Sequence, residues 1–104
     1  MPKYILAYHG GGMPATPEEG AKVMEAWNTW YGAIASKLVD GGSAFGRSMT
    51  VNSDGSVSQG GGANPLSGYT VVNADSYDAA NAIAKGSPIL AAGGTVEVCE
   101  FIDM

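Results

Sequence analysis

The sequence contains a single cysteine, a single histidine and a single arginine. Cys99 has no second thiol to pair with, so an internal disulfide is excluded and a reducing cytoplasm is the expected compartment. One His, one Cys and scattered carboxylates show no metal-ligand spacing, and neither a metal nor another cofactor is expected. Basic residues are scarce too: five Lys and Arg stand against ten Asp and Glu, for a net charge of −5. No basic cluster exists to neutralise a phosphate backbone or an anionic bilayer, so nucleic acid and membrane are both excluded as expected partners. Long apolar runs are missing as well. The opening MPKYILAYHGGG has the short apolar run of a strand, with neither the length of a spanning helix nor the pattern of a secretion signal.

What the chain does have is an apolar share of 45% over 104 residues, enough for one domain, residues 1–104, with one modest core. Its sixteen glycines act as punctuation. The longest pattern between them is TPEEGAKVMEAWNTWYGAIASKLVD, which predicts a helix from Thr16 to Asp40. Thr16 is a good N-cap, Pro17 is tolerated at the first position, and Glu19 completes a capping box. Glu18 and Glu19 suit the positive end of the helix dipole and Lys37 the negative end. Val23, Trp27, Trp30, Ile34 and Leu38 form an apolar stripe, and Gly41-Gly42 supplies the stop.

Around this helix the chain reads as strands and turns. Lys3–His9 is a first strand and Ser43–Val51 a second, followed by the turn Asn52-Ser53-Asp54-Gly55, with pairing resuming briefly over Ser56–Ser58. Gln59–Gly68 is a Gly/Asn/Pro/Ser loop of the kind that carries function or mobility. Tyr69–Ala74 is a third strand. A second helix over Tyr77–Lys85, capped by Asp75 or Ser76, turns Ala80, Ile83 and Ala84 inward; Ile89–Ala92 is a short helical turn, and Thr95–Ile102 is the last strand.

The order βαββαβ predicts an α+β, ferredoxin-like arrangement: a four-stranded antiparallel sheet with both helices on one face. The other face would then carry Ile5, Ala7, Cys99 and Phe101 into water. Soluble proteins seldom expose such a surface, and stacking of two sheets in a homodimer would hide it.

Several segments together resemble the YCII-related family, in the branch of the DGPF-domain proteins. They are KYILAYHGG, the PEE helix start, MEAWNTW, LVDGG, GYTVV, ADSYDAANAIAKGSP and GGTVEVCEF, spanning nearly the whole chain. The Asp-Gly-Pro-Phe signature is replaced here by Asp54-Gly55-Ser56-Val57, which keeps the turn and loses Pro and Phe. The resemblance implies a dimeric α+β barrel and acid–base chemistry from a His–Asp pair, with the family's biochemistry largely unestablished.

The candidate site starts at His9, which ends the first strand beside three glycines and is the usual general base near neutral pH. Asp40 and Glu97 are the carboxylates that would assist it, and the alternative for each is plain solvation. Arg47, alone among apolar neighbours, either orients an anionic group of a ligand or bridges to Glu97, Glu100 or a dimer mate. Tyr8, Tyr31 and Phe101 are the aromatic candidates for lining a pocket, joined by Trp27 and Trp30, for which core packing is the better explanation. Cys99 reads as a buried small hydrophobe, since no second histidine is present to activate it. His9-Gly10-Gly11-Gly12 matches an oxyanion motif of some lipases, but the chain has no G-x-S-x-G elbow. Gly10–Gly12 and Gly60–Gly62 lack the Lys and Ser/Thr of a phosphate loop.

Two functions fit this pattern. One is a small α+β-barrel protein that binds a small organic, anionic ligand and carries out cofactor-free acid–base chemistry. The other is a non-catalytic dimeric module for regulation or interaction, consistent with the lack of a complete catalytic constellation.

Overall fold

Thr16 lies in extended backbone and its hydroxyl accepts the Glu19 N–H, while the Glu19 carboxylate accepts the Ala15 N–H at 3.0 Å. This reciprocal cap starts the first helix, α1 (Pro17–Ala33), in the computed structural model of the chain, which describes residues 2–12 and 14–102. Before it comes β1 (Lys3–His9); after it come β2 (Leu38–Ala44), β3 (Met49–Val51), β4 (Val57–Gln59), β5 (Leu66–Asn73), α2 (Tyr77–Ala84) and β6 (Thr95–Glu100). Ser76 caps α2 by accepting the Ala79 N–H. No helix among the described residues is long and apolar enough to cross a membrane.

Four strands form an antiparallel sheet in the order β2-β5-β1-β6, the ferredoxin-like arrangement expected from the sequence. Among the described residues the other two strands, β3 and β4, pair only with each other, in a hairpin inserted between β2 and β5. Alternation along β1 sends Tyr4, Leu6 and Tyr8 toward the helices, where they join Trp30, Ile34, Val72, Ala74, Ala80 and Ala84 in the core. Leu6 and Val72 are fully enclosed, worth about 1.5–3 kcal/mol each in apolar burial. Trp30 donates its indole N–H to the Ile83 carbonyl at 3.3 Å and so ties the two helices together. Edge-on contacts run from Tyr8 to Trp27 and from Trp27 to Trp30, at 5.4 and 5.6 Å.

The second strand and the helix end differ from the sequence reading. α1 stops at Ala33, so Ile34–Lys37 form turns, Leu38 lies on β2 and Lys37 is not in a last helical turn. The cause is tertiary. Leu38-Val39 is β-prone and pairs with β5 at Leu38↔Val72, closing the edge of the sheet. The glycines read as a helix stop make a bulge instead. The Asp40 side chain accepts the Gly42 N–H, Gly42 adopts φ +74°, and a Cβ at Gly42 would stand 1.7 Å from the Tyr69 carbonyl oxygen. Residues 45–48, read as mid-strand, form a connection, and only Met49–Val51 of the expected second strand is extended and paired beyond Ala44. The turn at Asn52–Gly55 is as expected: Gly55 has φ +88° and Asp54 accepts the Ser56 N–H.

Candidate active site

His9 and Glu97 come together on the face of the sheet away from the helices. His9 is the last residue of β1 and pairs with Thr95, whereas Glu97 pairs with Ala7. All four point to the same side because strand register and a period of two fix the face. His9 Nε2 stands 2.9 Å from Glu97 Oε1. On the other edge of the ring, Nδ1 lies 2.9 Å from the Asn64 carbonyl oxygen and 3.3 Å from that of Pro65. A carbonyl only accepts, so Nδ1 carries a proton and donates it. The Nε2–carboxylate contact then needs a second proton between its two acceptor atoms.

Exposure divides the two partners. His9 is 8% exposed, covered by the loop that brings Asn64 and Pro65 over it. The Glu97 side chain is 62% exposed, and its Oε2 lies 3.9 Å from the thiol of Cys99, which donates toward it and is exposed on this uncovered face rather than buried as expected. Of the two, Glu97 is the one open to solvent. His9, with both ring nitrogens engaged, stands behind it.

The other expected site residues are distributed differently. Asp40 leaves the histidine unaided: its Oδ2 accepts the Tyr69 hydroxyl at 3.0 Å and its Oδ1 the Gly42 N–H. Donation to that carboxylate raises the Tyr69 phenol above its ordinary pKa. Tyr8 neighbours His9 in sequence and for that reason faces the opposite side. It is buried against Trp27 with its hydroxyl on Thr70 Oγ1 at 2.7 Å, and burial pushes its phenol up. Tyr31 belongs to that side too, packing on Trp27 and Trp30 and donating to the Gly41 carbonyl. Both tyrosines lie on the helix side, separated from His9 by the thickness of the sheet. Phe101 does share the open side, with Lys3 6.0 Å from its ring centroid. Arg47 meets no carboxylate among the described residues; its Nη2 lies 4.0 Å from Met49 Sδ.

The carbonyls of Asn64 and Pro65 are the site components that residue-type reasoning overlooked. A backbone acceptor carries no side-chain signature, and the signal available was the Gly-rich loop with a proline at its end. Pro65 restricts the residue before it to extended backbone, which aims the Asn64 carbonyl. Among the described residues no three His, Cys, Asp or Glu side chains gather to hold a metal ion. Two surface clefts, one between α1 and residues 85–91 and one between α2 and β6, lie on the helix side and touch neither His9 nor Glu97.

No protein-family model matches this sequence, and no curated protein matches it. A solved structure shares its fold: 5-chloro-2-hydroxyhydroquinone dehydrochlorinase (TftG) from Burkholderia phenoliruptrix AC1100, in complex with 2,5-dihydroxybenzoquinone. The likeness covers 100% of this chain and 96% of that one, with a TM-score of 0.58 and 14% sequence identity.

Proposed function

We propose that the chain is a YCII-like protein that binds a small hydroxylated or anionic ring compound on the open side of its sheet and moves a proton on it. Glu97 is the base that touches the ligand. Its Oε2 accepts the proton, while His9 Nε2 donates to Oε1 and holds the carboxylate in place, with the Asn64 carbonyl fixing the ring. Such a dyad suits proton abstraction from an acidic hydroxyl, or from carbon next to a carbonyl, without a cofactor. The observation that carries the reading is the 2.9 Å contact between a buried imidazole, held at its far nitrogen by a carbonyl, and an exposed carboxylate. The fold shared with a protein solved in complex with a dihydroxybenzoquinone supports the choice of ligand class. A second copy stacked on the open side would turn this exposed surface into an enclosed cavity, where electrostatic effects are stronger.

Calorimetric titration with 2,5-dihydroxybenzoquinone tests the reading. Wild type should bind, Glu97→Gln and His9→Asn should each bind at least tenfold more weakly, and Tyr31→Phe, on the other side of the sheet, should bind as wild type. Equal affinity in all four proteins would contradict it.

A further inference from the structure

The β3–β4 hairpin has the features of an arm made to rest on something. It hydrogen-bonds as a sheet only to itself, and a two-stranded hairpin alone in water is at best marginally stable. Its register, Met49↔Gln59, Thr50↔Ser58 and Val51↔Val57, sorts the residues by face. Thr50 and Ser58 are on one face; on the other, Met49, Val51 and Val57 are exposed, Val51 to 73% and Val57 to 57%. At its base Phe45 stacks on Tyr69, whose strand position puts it on the open side of the main sheet with Ala7, so the apolar surface continues from sheet to arm. Between them sits Arg47, the chain's one arginine, exposed and without a carboxylate among the described residues.

The dimensions agree. The molecule measures 44 × 43 × 18 Å, the depth of one sheet and one helix layer, and its radius of gyration of 15.0 Å exceeds the roughly 13 Å of a compact chain this size. A face of that breadth has room for the roughly 800 Å² that a stable interface buries on each partner. The chain thus carries both an apolar arm with Arg47 at its base and an open sheet side on which half-buried Ile5 and Ala7 lie beside the exposed Glu97 carboxylate. A two-fold contact needs such self-complementarity.

We infer that the β3–β4 arm of one copy lies across the open sheet side of a second copy, bringing Arg47 to Glu97 of that copy, so that each His9–Glu97 site is completed by the other chain's arginine. Arg47 then supplies the cation that holds an anionic ligand against the dyad. This rests on the proposed face-to-face dimer and adds the arm and the arginine to it.

A nitroxide on Ser53→Cys at the arm tip, in a Cys99→Ser background, mixed with ¹⁵N-labelled Cys99→Ser protein that carries no nitroxide, reads the contact directly. Broadening of the Ile5, Ala7 or Val71 amides of the ¹⁵N chain is expected, and its absence would overturn the inference. Sedimentation of charge variants gives the second readout. Arg47→Glu and Glu97→Arg should each weaken dimerisation at least tenfold, and the double variant should recover most of it. A dimer indifferent to all three, with no broadening, would remove the arm and leave the stacked sheets standing. A wild-type monomer at 100-micromolar concentration (on the order of typical NMR samples) would remove both.

Discussion

His9 and Glu97 meet at 2.9 Å although they are not register partners: each is paired with a different residue, two positions along the adjoining strand. The contact is diagonal across β1 and β6, a separation that long side chains span. It fixes the carboxylate from one side only. The imidazole is immobilised by the fold, and the carboxylate is held by the imidazole.

Glu97→Gln should therefore change chemistry far more than stability. The lost contact is open to solvent on the glutamate side, and such exposed pairs contribute about 0–1 kcal/mol. Thermal unfolding should move by a few degrees at most. The ¹⁵N resonance of His9 Nε2 should shift clearly, while that of Nδ1 stays, because the Asn64 carbonyl remains.

Pro65→Gly frees the peptide that aims the Asn64 carbonyl. The ring then loses its anchor without loss of either member of the dyad. Ligand binding should weaken severalfold and the His9 ring nitrogens should both shift, with Glu97 intact. Unchanged ring resonances would show that the loop does not position the histidine.

Alkaline pH should destabilise the protein in part through Tyr8. Burial raises its folded-state pKa above the 10.0 of an exposed phenol. Between the two values the folded chain keeps a proton that the unfolded chain has released, so stability is intact below pH 10 and falls as pH rises beyond it. Tyr8→Phe should cost about 1 kcal/mol at neutral pH, through the lost bond to Thr70, and should flatten the alkaline decline. Tyr4 and Tyr69, also raised, leave a remaining slope. Unfolding midpoints from pH 8 to pH 11 (about one unit beyond the phenol's ordinary value) measure it.

Gly42→Ala should be strongly destabilising, by about 2 kcal/mol or more, since it combines a left-handed backbone with a collision against the Tyr69 carbonyl. Gly41→Ala is the control: its added Cβ meets nothing within 4 Å, and its effect should stay within about 0.5 kcal/mol. Denaturant titration of the two variants separates them.

These elements also show what the sequence made legible. Local signals were reliable where chemistry and structure coincide: Thr16 and Ser76 cap the helices they mark, and Asp54-Gly55 turns the hairpin. Alternation placed Glu97 with Cys99 and Phe101 on one face, as found. The long helix was overextended because Leu38 continues the apolar stripe of Trp30 and Ile34, and only pairing with Val72, far along the chain, decides for a strand. Gly41-Gly42 was ambiguous for the same reason: positive φ serves a helix end and a bulge equally. Tyr8 is a pocket-lining candidate by residue type, yet as His9's neighbour on a strand it faces the opposite way. The Asn64 carbonyl lay beyond any reading by residue type.

The central claim is that the ligand sits on the open sheet side, against Glu97 and His9. Amide chemical-shift mapping of the ¹⁵N-labelled chain during titration with 2,5-dihydroxybenzoquinone tests it most directly. Saturable shifts should centre on Ala7, His9, Asn64, Glu97 and Cys99. Shifts confined to the helix-side clefts around Trp30, Lys85 and Leu90, or none at all, would contradict it.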